Sequence, residues 1–229
     1  MSEDRVVIYI DGQNLRFKLQ DIGLQEKDVN WGKLFSSLVP ASHVLIRAYW
    51  YQAARIAPWE WKSHLAKYTP QGMTPAQFER AATDYYRNEC ERLEKIHQIV
   101  YERIERTYDS VEFRYSGVLK VEPTRVTVDS SGQTQIGTRV GEKGVDVALA
   151  VDLVRHAEHY DTAILITGDF DLVPAIQAVK DRLRRVIVVS VMKGTPPHHQ
   201  GHARRLTSLC DQQIEIFESD LKDKNKFGV

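Results

Sequence analysis

Three acidic motifs, each placed where a strand should turn into a helix, constrain this chain more than any other feature. They are IYIDGQNL (8–15), EKGVDVALAVDLV (142–154) and AILITGDFDLVPAI (163–176). A short apolar run that ends in an acid fits a buried parallel strand with a carboxylate at its C-terminal tip. In open α/β sheets, ligands bind in the crevice outside those tips. Asp11, Asp146, Asp169 and Asp171 are expected to converge there. Carboxylates held close together cannot all stay charged without a cation.

The spacing predicts strands at Val6–Ile10, His43–Tyr51, Val111–Gly117, Ala163–Thr167, Arg185–Val191 and Gln213–Phe217. Val145, Leu149, Leu153 and Ala157 fall at four-residue steps, which is helical periodicity, and a further helix is expected over Leu172–Lys180. Strands alternating with helices imply βαβ units, a mainly parallel sheet, and helices on both faces. The expected architecture is α/β, one domain over 1–229, with a helical elaboration at 53–110. Within that elaboration, Thr74, Pro75 and Gln77 read as a capping box with proline in the first turn. Phe78, Ala82, Tyr86, Leu93, Ile96, Val100 and Ile104 then trace one apolar face, predicting a helix of roughly thirty residues. Residues 118–141 read as a polar hairpin or an excursion, turning at Asp129-Ser130-Ser131-Gly132.

Several classes are excluded by what the chain lacks. No run approaches the ~20 apolar residues of a membrane helix. Acids precede a first apolar run too short for a signal peptide. Cys90 and Cys210 match no metal-ligand spacing, so a reduced, cytoplasmic protein is expected. There is no P-loop, dinucleotide fingerprint or nucleophile elbow. A phosphatase with a D-x-D pair after its first strand would need an acid where Gln13 stands.

Four acids with no histidine in their motifs suit Mg²⁺ or Mn²⁺ better than zinc. Such an ion would orient a phosphate and activate water. Asn14, one turn past Asp11, is placed to fix a ligand or touch substrate, and Thr167 to donate a hydroxyl. The formal net charge is zero, so nucleic-acid affinity requires local patches. Between Lys180 and Arg205, seven Lys and Arg face one acid, with His198, His199 and His202 beside them. Arg184, Arg185, Arg204 and Arg205 are candidate phosphate contacts there, with Lys143 beside the second acidic motif. Trp50, Tyr51, Trp59 and Trp61 are candidates for base stacking or for the core.

The motifs resemble those of the NYN domain family, PIN-like ribonucleases, and within it the LabA-like branch. DGQNL, KGVD and TGDFDLVP match its three signatures in order, and LTSLCDQQIEIF resembles its last strand. The resemblance covers about 6–52 and 111–218; Leu172 stands where phenylalanine is common. It implies metal binding by Asp11, Asp146 and Asp169 with Asp171 as fourth acid, and cleavage of RNA, single-stranded by expectation. A homodimer is compatible with it. The rival expectation is a regulatory RNA- or protein-binding module that keeps its acids without turnover.

Overall fold

Val6, Ile8, Tyr9 and Ile10 have no exposed surface, because the first strand lies in the middle of a sheet covered on both faces. The computed structural model describes residues 3–57, 73–131, 134–196 and 208–229. Among them, strands β1 (Asp4–Asp11), β2 (His43–Ile56), β3 (Val111–Val128), β4 (Thr134–Lys143), β5 (Thr162–Ile166), β6 (Arg185–Met192) and β7 (Gln212–Phe217) form one sheet. Its order is β4-β3-β2-β1-β5-β6-β7. Every pairing is parallel except β3 with β4. The chain steps outward from β1 through β4, then returns to β5 on the other flank of β1. The order therefore reverses between β1 and β5, which makes their tips the switch point of the sheet.

Alternation along β1 sends its side chains to two cores. One face takes Leu15 and Leu19 of α1 (Gly12–Asp21) with Trp31, Leu34 and Phe35 of α2 (Trp31–Leu38). The other takes Leu149 and Leu153 of the later helix Val145–Arg155 with Ile176 and Val179 of Val173–Lys180. Helices on both faces of a parallel sheet are what the strand–helix alternation predicts. Trp50 and Tyr51, 0% and 1% exposed, occupy opposite faces of β2 and belong to these cores. They are not free to stack on bases; Trp59 and Trp61 lie outside the described residues.

The long helix forms as α3 (Pro75–Ile96), and Thr74 and Gln77 complete its capping box. It continues through a π-helical turn, His97–Tyr101, into α4 (Glu102–Thr107). The added residue of a π turn rotates the apolar face, so Tyr101 is fully buried and Val100 only partly. Arg16 reaches across from α1 to the Tyr101 hydroxyl and to Glu26 Oε1, 2.8 Å away. Residues 118–128 do not leave the sheet after a short strand. They prolong β3 through Gly117, whose φ is +62°, and Asp129 caps the return with a 2.9 Å bond from the Ser131 amide.

Candidate active site at the strand tips

The last residue of β1 is Asp11, and it also begins α1. Its Oδ1 accepts the Asn14 amide at 3.0 Å, so the carboxylate that ends the strand caps the helix. Its Oδ2 accepts the Thr167 hydroxyl at 2.9 Å, which ties β1 to the residue after β5. Thr167 in turn accepts the Asp169 amide at 3.0 Å, and Asp169 Oδ1 accepts the Asp171 amide at 2.9 Å. The N-cap of the turn at Phe170–Leu172 is thus Asp169, while Asp171 stands exposed inside it. The Thr167 hydroxyl, expected to donate either to phosphate or to a side chain that holds the ion, donates to Asp11.

Gly12 follows Asp11 because nothing larger fits. A Cβ there would collide with the Tyr51 carbonyl and the Gln52 amide. Gln52 is 4% exposed, and its Nε2 has no partner among the described residues. Asp146 arrives on the first turn of α5 (Val145–Arg155), where a carboxylate suits the helix dipole. Val145, Leu149 and Leu153 anchor that helix, and the Tyr51 hydroxyl donates to Asp152 at 2.8 Å. Gly144, at φ +86°, makes the turn that starts it.

These carboxylates lie near enough to repel one another. Burial raises the Asp11 pKa above the ordinary carboxylate range, and Asp146 and Asp169 push it the same way against hydrogen bonds from Asn14 and Thr167. Asp146 is raised by burial and by Asp169 and Asp171. A fifth acid joins them. Burial pushes Glu142 up to about 7, with Asp11 and Asp146 adding to it, while the Ala53 backbone hydrogen bond and Arg16 oppose it. Sequence reasoning misses Glu142, although a signal is present. Thr134, Ile136, Thr138, Val140 and Glu142 share the inward face of β4 at period two, and an acid on an inward face calls for a reason. Lys143 lies on the outward face and is exposed.

A test of the fifth acid follows from the sign of its shift. The folded state keeps a proton that the unfolded chain releases, so stability falls as pH rises from the ordinary glutamate range through about 7. In EDTA, Glu142→Gln is expected to remove roughly 2–3 kcal/mol of that fall between pH 5 and 8. Parallel melting curves for parent and variant would show that Glu142 is not held in the cluster.

The other predicted residues divide. Asn14 sits beside Gly168, its side chain within ordinary contact of a Cβ at that glycine. Arg184 and Arg185 are not in the site. They lie at the opposite edge of the sheet, where β6 begins, about 13 Å along the strands at ~3.3 Å per residue. Arg184 binds Asp161 at 2.9 Å and Arg185 donates to Gln212 at 2.7 Å. Lys180 pairs with Asp211 at 3.0 Å. Arg204, Arg205 and the histidines at 198, 199 and 202 fall outside the described residues. A shallow apolar groove runs from Asp146 and Asp171 between α5 and α6 (Val173–Lys180) to Arg155 and Arg182.

Five oxygen-donor side chains with unrelieved mutual repulsion match a hard divalent cation in kind. Among the described residues, no three His, Cys, Asp or Glu side chains stand ready to hold a metal ion together. Both Asp11 oxygens and one Asp169 oxygen are already engaged by hydrogen bonds. Asp146 and Asp171 line one groove, and a coordination shell that included Asp11 or Asp169 would require side-chain movement.

A largely parallel α/β sheet carrying acids at its switch point defines a PIN-like domain. The profile of the NYN domain matches residues 5–217, and the chain belongs to that family, a branch of PIN-like nuclease-type domains. An uncharacterized protein of Methanocaldococcus jannaschii is 30% identical over 92 residues. That match spans 39% of this chain and 38% of the archaeal protein. The crystal structure of a protein of unknown function from Vibrio parahaemolyticus aligns with a TM-score of 0.51 at 14% identity, covering 98% of this chain and 96% of the other. That likeness is one of fold. Among the described residues no helix is long and apolar enough to cross a membrane.

Proposed function

We propose that this protein is a metal-dependent ribonuclease that hydrolyses phosphodiester bonds of single-stranded RNA at the β1–β5 tips. The carrying observation is the gathering of Asp11, Glu142, Asp146, Asp169 and Asp171 from three distant segments, with burial and mutual repulsion raising the pKa values of Asp11, Glu142 and Asp146. Asp11, Asp146, Asp169 and Asp171 are the residues that would hold Mg²⁺ or Mn²⁺. When bound, such an ion supplies Lewis acidity to a phosphoryl oxygen and lowers the pKa of a water.

The chain's own contribution is positioning. Thr167 and the Asn14 amide fix both oxygens of Asp11, so its orientation is set by two elements at once. Asn14 and Gly168 form a wall where substrate backbone approaches closely. Glu142 adjoins the same acids, and without an ion, burial and their charge hold its carboxyl up at about 7. The rival reading, a regulatory RNA- or protein-binding module, draws support from the hydrogen bonds that already occupy Asp11 and Asp169.

Incubation of purified protein with end-labelled single-stranded RNA decides between them. Cleavage is expected with Mn²⁺ and none with EDTA. RNA retained equally under both conditions, without turnover, would establish the rival.

A further inference from the structure

Beside the acids, on the α1 side, lies a half-enclosed cavity of about 350 Å³. Its position follows from the fold: α1 leaves the tip of β1 and passes over the tips of β5 and β6, and the space beneath it is left open. Leu15, Ile166 and Val189 contribute apolar lining, while Asn14, Thr167 and Gly168 form the end shared with the acidic site. Thr167 is the residue whose hydroxyl holds Asp11, so whatever fills the cavity lies directly against the reacting end.

Two lysines mark the mouth. Lys193 is anchored to the end of α1, 3.6 Å from Asp21 Oδ1 and donating to the Asp21 carbonyl at 3.2 Å. Lys18, exposed on the same helix, has no ion-pair partner among the described residues. Ser190, also on the lining, has a buried hydroxyl with no hydrogen-bond partner among the described residues. The combination is an apolar surface, amide and hydroxyl groups able to donate and accept, and an uncommitted cation at the rim. It sits next to carboxylates that would repel an anion arriving alone.

We infer that this cavity is a nucleotide pocket, receiving one unit of a single strand next to the phosphate held at the acids. This deepens the nuclease reading and rests on it for the identity of the strand. A base has apolar faces and a polar edge, which match the lining. Lys18 takes the neighbouring phosphate. The volume lies near the lower end of the ~300–1,000 Å³ of small-molecule sites, room for one flipped-out nucleotide and too little for a duplex. An unpaired strand is therefore favoured, because a base must leave its stack to enter and pairing adds to that cost.

The test uses the full chain in Mg²⁺ and in EDTA, followed by amide NMR shifts. The probes are adenosine and uridine 5′-monophosphates, the matching nucleosides, a tetraribonucleotide and inorganic phosphate. Saturable shifts centred on Thr167, Gly168 and Lys193 are expected for the monophosphates and, more tightly, for the tetranucleotide. Lys18→Glu should weaken monophosphate binding about tenfold and leave nucleosides nearly unchanged. Val191→Phe, which fills the cavity, should abolish both. Inorganic phosphate binding as tightly as the nucleotides, no binding of any probe, or nucleotide binding unaltered in both variants would overturn the pocket. Nucleotide binding without Mn²⁺-dependent cleavage would instead remove the nuclease reading and leave the pocket standing. Cleavage by a protein that binds no nucleotide there would do the reverse.

Discussion

Asp11→Asn is expected to cut Mn²⁺-supported RNA cleavage by roughly a thousandfold while leaving the metal-free protein at least as stable as its parent. Asparagine is as good a helix cap as aspartate, so the bond from the Asn14 amide survives. What disappears is a buried negative charge that Asp146 and Asp169 repel, and that loss favours the fold. The bond from Thr167 weakens, which offsets part of the gain. Asp11→Ala, by contrast, removes the cap and leaves the Thr167 hydroxyl without its acceptor, at a cost of about 1–2 kcal/mol. Activity and stability should thus move in opposite directions in one variant and together in the other. Retention of full cleavage by Asp11→Asn would remove the carboxylate from the chemistry; a drop in its melting temperature would show that repulsion does not dominate at this position.

Gly117→Ala should be the most damaging small substitution in the sheet, costing roughly 3 kcal/mol or more. The residue lies at φ +62°, which strains any side chain. A Cβ would also meet the Lys143 carbonyl and come within 3.0 Å of Gly144 C and Val145 N. All of these are backbone atoms, so no rotamer change relieves the contact. The strand holding Glu142 and the turn holding Asp146 would both be pushed away, and cleavage should fall with stability. Gly144→Ala is the control. It shares a positive φ, +86°, but a Cβ there meets only Gly117 Cα at 3.6 Å, so about 1 kcal/mol of conformational strain is expected. Urea unfolding of the two variants measures the difference, and equal midpoints would mean that the close approach at Gly117 is tolerated.

The central strands are legible in the sequence because burial on both faces leaves an unbroken apolar run, and β1 and β5 are such runs. The acids at their tips are legible for the same reason: a carboxylate closing an apolar run stands out against everything around it. The far end of each strand is less so. Arg184 and Arg185 stand at the start of the strand predicted at 185–191, the end away from the acids, but their place in a basic stretch points to phosphate more strongly than that position points away from it. Their neighbourhood is set by Asp161, which also binds Arg5 from 156 residues away. A constant helical period puts Val100 on the buried face. The π turn that brings in Tyr101 instead depends on Arg16 and the sheet beneath it, and no window of local sequence contains both. Glu142 is harder to see because it adjoins a stronger motif, in which Lys143 and Asp146 carry the obvious charges.

The separation of the acids along the chain has a consequence for how this protein is made. Asp11 is joined to Thr167 across 156 positions, and the strand carrying the first acid leaves the ribosome long before its partners. At ~5–20 residues per second, roughly 8–30 s separate the two during translation. Throughout that interval the growing polypeptide carries Asp11 without the complete set of acids of the candidate site. On the proposed ribonuclease reading, the message being translated meets no completed site during that interval.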